Sequence, residues 1–88
     1  MIEKSIEIQL SSGLEARPVA VLVQVASQYD SSIYLEAEGR KVNAKSIMGM
    51  MTLGLNTGEV VKVICDGKDE KSAVENIENY LSGKMQTA

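Results

Sequence analysis

The sequence predicts an α+β domain: a four-stranded antiparallel sheet with three helices packed on one of its faces. Three observations lead there. Apolar and polar residues alternate in several short runs, the pattern of half-buried strands. Other runs carry apolar stripes at helical spacing. The outward positions of the alternating runs, Ser5, Glu7, Tyr34, Glu36 and Lys62, suit a second sheet face left to solvent. Layering helices over the apolar face is the simplest way to bury both kinds of stripe.

The elements follow in the order β-α-β-β-α-β-α. Ile6, Ile8 and Leu10 alternate with Ser5, Glu7 and Gln9 in a first strand, and Ser11-Ser12-Gly13 supplies turn residues. Pro18 suits the first turn of a helix reaching about Tyr29, with Val19, Leu22, Val23 and Ala26 as its buried stripe. Its valines are mediocre helix formers, so packing must hold it. Ile33, Leu35 and Ala37 mark a second strand, and Glu38-Gly39 closes a hairpin into a third at Arg40–Asn43. Ser46 to Leu53 is a short helix, and Glu59–Cys65 is the clearest strand pattern in the chain. Asp69 caps a last helix that carries Ala73, Val74, Ile77, Tyr80 and Leu81 inward and runs to Ser82, where Gly83 ends it.

The 88 residues make a single domain spanning 1–88. With no Phe or Trp, its core must come from Ile, Val, Leu, Met and Ala. A net charge of −3 argues against direct nucleic-acid contact, which needs a basic face. Neither a long apolar span nor a basic-then-apolar leader is present, so no membrane association and a cytoplasmic location are expected. One cysteine, Cys65, allows no internal disulfide and no Cys-x-x-Cys metal loop. Its alternation with Val61 and Val63 makes it a core residue. No metal ligand set and no cofactor site is expected.

Two segments carry the chemistry. Ser46 stands where a favoured N-cap belongs, just ahead of Ile47-Met48-Gly49-Met50-Met51. A cap hydroxyl lies at the surface, and a phosphate placed there meets helix N–H donors and the favourable end of the dipole. Ile47, Met48, Met50, Met51 and Leu53 cannot all point inward from two turns, so part of this helix must show apolar side chains to solvent. Flexible Met side chains in the open mark docking surfaces. Opposite the buried stripe of the first helix lie Arg17, Ala20, Gln24 and Ser27. The other segment is Gly13-Leu14-Glu15-Ala16-Arg17-Pro18-Val19-Ala20, in a chain without a single histidine.

These two segments resemble those of the HPr family, small phosphocarriers of the bacterial sugar phosphotransferase system. Gly13–Ala20 is similar to the family's phosphohistidine signature, with Glu15 where the imidazole would stand. Lys41–Met51 is similar to its regulatory serine region. Within the family, the resemblance runs to the catabolite-repression branch of Gram-positive bacteria, which also lacks the histidine and keeps the serine. It implies an open-faced β-sandwich and no enzymatic activity of the chain's own. It also implies phosphorylation of Ser46 by the HPr kinase/phosphorylase, using ATP or pyrophosphate. The phosphorylated form would then act as corepressor of a LacI-type catabolite control protein. The implied partner-binding surface is Arg17, Ala20, Ile47, Met48 and Met51, with Ser46 at its edge.

Several roles stay open for Glu15: a plain favourable charge at a helix start worth roughly 0.3–1 kcal/mol, an imitation of a phosphorylated carrier, or a carboxylate acceptor of phosphoryl groups. The last would make the chain a divergent or altered phosphocarrier. Lys41 and Lys45 either steer the acidic kinase–nucleotide complex or solubilise the loop.

Overall fold

The computed structural model describes residues 1–10, 16–54 and 56–83, leaving the side chains of Ala16 and Arg17 aside. Its elements are β1 (Ile2–Glu7), α1 (Ala16–Ser27), β2 (Ser32–Ala37), β3 (Arg40–Asn43), α2 (Ile47–Met51), β4 (Val60–Asp66) and α3 (Glu70–Leu81). The strands form one sheet in the order β1-β4-β2-β3, each neighbouring pair antiparallel. The predicted α+β class, with four antiparallel strands and three helices, is therefore the one observed.

Register explains where the core lies. Val61 pairs with Ile6, and Leu35 faces Val63 on one side and Val42 on the other. These residues, except the half-buried Val42, are buried together with Val19 and Leu22 of α1 and Ile77 and Leu81 of α3 in one cluster. The opposite face carries Ser5, Glu7, Tyr34, Glu36 and Lys62, as the alternation requires. Lys62 reaches Glu3 at 3.1 Å and Glu36 at 3.7 Å there, an exposed cross-strand ladder of small energetic weight. Ile64 lies on this outer face, outside the main cluster, yet is buried beside its cross-strand partners Glu3 and Tyr34.

β1 begins at Ile2, three residues before the alternation suggests. Lys4 shares the helix-covered face with Ile2 and Ile6, and its ammonium leaves the edge to meet Glu78 of α3 at 2.7 Å. An inward charge on an edge strand breaks the apolar pattern, and it also discourages pairing with a foreign strand. At the other end the ladder stops at Glu7, although Ile8 still bonds to Glu59 and Gly58 and is fully buried. α1 starts at Ala16, so Pro18 sits within the first turn, where a missing N–H costs nothing. It ends at Ser27 rather than Tyr29, because Gln28 and Tyr29 turn back to Val25 and Ala26. Val25 of this helix is buried and Val23 only half-buried, so its inward stripe is rotated slightly from the one expected.

The hairpin falls where predicted. Glu38 and Gly39 both take positive φ, 52° and 78°, as the two-residue turn between right-twisted strands requires. Asp69 precedes α3 but does not cap it with its side chain. Its carboxylate instead accepts bonds from Asp30 N at 2.9 Å, Ser31 N at 3.0 Å and the Ser31 hydroxyl. Tertiary donors from exposed Asp30 and buried Ser31 outcompete the helix's own first N–H groups for this carboxylate.

Candidate functional site

Asn43 ends β3 and folds the chain into α2. Its carbonyl accepts from Ser46 N at 3.0 Å, and its side-chain oxygen from Lys45 N at 2.8 Å. Ser46 is thereby held extended, at φ −110° and ψ 113°, the N-cap geometry. Its Oγ accepts from Gly49 N at 3.2 Å while its carbonyl accepts from Met50 N at 2.9 Å. One lone pair of this half-buried hydroxyl is used in this way, and among the described residues nothing else bonds to it. A Cβ at position 49 would lie 3.5 Å from Ser46 Oγ and 3.7 Å from Val42 Cβ, so glycine leaves room beside the hydroxyl.

The five residues of α2 divide sharply. Met50 is fully buried in the common cluster, whereas Ile47 is 44% exposed, Met48 80% and Met51 53%. The helix stops at Thr52, whose hydroxyl donates to the Gly49 carbonyl at 2.6 Å. Arg40 then donates to the Thr52 carbonyl at 2.8 Å and holds the far end of α2 against the start of β3. α1 packs beside α2 and contributes half-buried Ala20. Arg17 belongs to the first turn of α1, and its side chain lies outside the described residues, as does Glu15. The structure thus brings Ser46, Ile47, Met48 and Met51 onto one short exposed element next to α1.

The two lysines flanking this element have structural engagements. Lys41 points to the outer sheet face, its ammonium 4.9 Å from the centroid of the Tyr34 ring. Lys45 donates to the Tyr29 carbonyl at 2.6 Å, satisfying an acceptor just past the end of α1.

The stems on either side of residues 11–15 are fixed by distant parts of the chain. Gln9 N donates to the Leu81 carbonyl at 2.7 Å, and the Thr57 hydroxyl donates to the Leu10 carbonyl. On the other side, the buried Tyr80 hydroxyl donates to the Pro18 carbonyl at 3.1 Å. Burial pushes the Tyr80 phenol up, so it keeps its proton and remains a donor. From sequence alone, Arg40 and Thr57 have no role here, and Tyr80 has only a place in the core stripe of α3. A tyrosine assigned to a core stripe does carry one signal, since its buried hydroxyl needs a partner.

Comparison with known proteins matches residues 2–82 to the family described as "PTS HPr component phosphorylation site". The chain belongs to the HPr family. The match takes in both the Glu15 segment and the Ser46 segment. HPr-like protein Crh of Bacillus subtilis (strain 168) is 46% identical over 85 residues, covering 97% of this chain and 100% of that protein. Phosphocarrier protein HPr of Bacillus anthracis str. Ames has a solved structure similar to this one. Its TM-score is 0.89 at 39% identity, with 91% of this chain and 95% of that chain covered. Crystalline Crh of Bacillus subtilis, a swapped and intertwined dimer, is similar at TM-score 0.78 and 42% identity, covering 99% of this chain and 100% of that one. In these HPr-fold terms, no helix among the described residues is long and apolar enough to cross a membrane.

Proposed function

We propose that this chain is a regulatory HPr-like protein of carbon catabolite repression rather than a phosphohistidine carrier or an enzyme. HPr kinase/phosphorylase phosphorylates Ser46, and the phosphorylated chain acts as corepressor of a LacI-type catabolite control protein in the cytoplasm. What carries the reading is the pairing of a half-buried cap hydroxyl with exposed Ile47, Met48 and Met51 in a chain that has no histidine. The similarity to Crh supports the same reading.

The mechanism is a change of charge beside an apolar surface. Phosphate on Ser46 adds about −1.5 to −2 charges, large beside the net −3 of the chain. An arginine pocket on the partner reads the phosphate through charge-assisted hydrogen bonds. Ile47, Met48 and Met51 fill an apolar groove, and Arg17 and Ala20 extend the contact along α1. The DNA contact belongs to the partner.

Mass spectrometry after incubation with HPr kinase/phosphorylase and ATP tests the proposal. The expected product carries phosphate on Ser46. Ser46→Ala should take up none, bind the control protein no better than the unmodified chain, and lose only about 1 kcal/mol of stability through the cap. Phosphate on another residue, or binding indifferent to the phosphate, would overturn it. Transfer from phosphoenolpyruvate and the first phosphotransferase enzyme onto Glu15 would instead assign a carrier role.

A further inference from the structure

We infer that Met48 and Met51 form a reversible oxidation site on the same element as Ser46, and that peroxide acts there as a second input. The functional half of this inference rests on the docking role proposed above; the chemical half does not. Within one helical turn the chain places two exposed methionines, Met48 at 80% and Met51 at 53%, around one that is fully buried, Met50. Thioether sulfur is oxidised where an oxidant can reach it, so this element sorts its methionines by accessibility alone.

The step is a two-electron oxygen transfer. A sulfur lone pair attacks one oxygen of a hydroperoxide, the O–O bond breaks, and an S–O bond forms. The proton on the transferred oxygen passes to the departing oxygen, which leaves as water when the oxidant is hydrogen peroxide. Sulfur is oxidised to the sulfoxide and the peroxide is reduced. Methionine sulfoxide reductases restore the thioether, with one enzyme for each sulfoxide epimer.

The location gives the oxidation its meaning. Phosphate on Ser46 adds a group that a partner's cations can bind, whereas sulfoxide at Met48 or Met51 makes an apolar contact polar. Burying that polar group without a partner is unfavourable, and about tenfold is lost from the affinity for each sulfoxide seated in an apolar groove. The fold itself is spared, because the methionine of α2 that packs into the core is the protected one. Oxidation therefore vetoes docking without removing the phosphate.

Timed treatment of the folded protein with hydrogen peroxide, followed by peptide mapping with tandem mass spectrometry, tests the site. Met1, 70% exposed, serves as an internal reference for an open thioether, and the map separates Met85, which lies outside the described residues. Met48 and Met51 should oxidise at rates near that of Met1, and Met50 on the order of tenfold more slowly or less. Equal rates at Met48 and Met50 would overturn the assignment. Binding of the Ser46-phosphorylated protein to purified LacI-type control protein is then measured before oxidation, after it, and after treatment with both reductases. Loss on oxidation and recovery on reduction are expected. Unchanged binding by the doubly oxidised form would overturn the veto. Failure of the unoxidised phosphoprotein to bind would count against the docking role instead, with the peptide map still deciding the modification site.

Discussion

Asp69 joins two segments far apart in sequence through one carboxylate. Ser31, 1% exposed, is a buried polar side chain in need of a partner, and its hydroxyl and backbone N–H both donate to Asp69. Asp30 adds a third donor. The packing is close: a Cβ at position 67 would fall 2.6 Å from Ser31 Oγ and 2.7 Å from its Cα, so glycine is required there. The Ser31 hydroxyl first, then the Asp30 N–H, hold the Asp69 carboxyl below the usual aspartate range. Glu70 is lowered too, chiefly by the Gly67 N–H and then by the N-terminal ammonium. The sign follows directly. Below the ordinary aspartate value of about 3.9, the unfolded chain binds the proton that folded Asp69 still refuses, so stability falls as pH falls toward the lowered folded value. At neutral pH the contribution is fully present. Asp69→Asn should therefore be less stable than the parent at neutral pH, with the gap closing on acidification. Urea unfolding across this range checks it, and a gap independent of pH would refute the account.

At the scale of elements, α2 shows how a helix too short to persist alone is made permanent. Its hold on the molecule is Met50, fully buried, with Ser46 closing one end and Thr52 and Arg40 the other. Met50→Ala should cost about 2–5 kcal/mol by opening a cavity, and Met48→Ala no more than about 0.5 kcal/mol. Chemical denaturation of the two variants gives the comparison, and similar losses would mean that the helix is anchored elsewhere. The same element marks what was legible in the sequence. Crowding of apolar residues around two turns said that some must face solvent, but not which; only tertiary packing selects Met50. β2 was readable to the residue because its alternation is unbroken, and β3 because Glu38-Gly39 marks the hairpin into it. β1 was misplaced because Lys4 occupies an inward position, a choice made by Glu78 on α3 and invisible to local pattern. Asp69 satisfied every local rule for a cap, yet its donors came from residues 30 and 31. Around α2, the Ser46 cap and an excess of exposed apolar neighbours were legible, whereas the bonds from Arg40, Lys45 and Tyr80 join residues whose proximity only the fold creates.

At the scale of the whole molecule, one buried cluster joins the sheet to the helices among the described residues, and Cys65 reports on it. The thiol is fully buried on the inner face of β4, and burial pushes it up to about 11. Modification by a disulfide reagent near neutral pH should then proceed only through global opening, slowing in proportion to stability. Labelling rates measured with and without low denaturant test this; fast labelling of the native protein would contradict it. One last feature belongs to this scale. Leu81 and Tyr80, in the final turn of α3, grip the chain on both sides of residues 11–15, at Gln9 and at Pro18. The posts that flank residues 11–15 are thus set by α3, not by the signature motif between them. Exchanging Glu15 for another residue should therefore change the chemistry offered there without loosening either post.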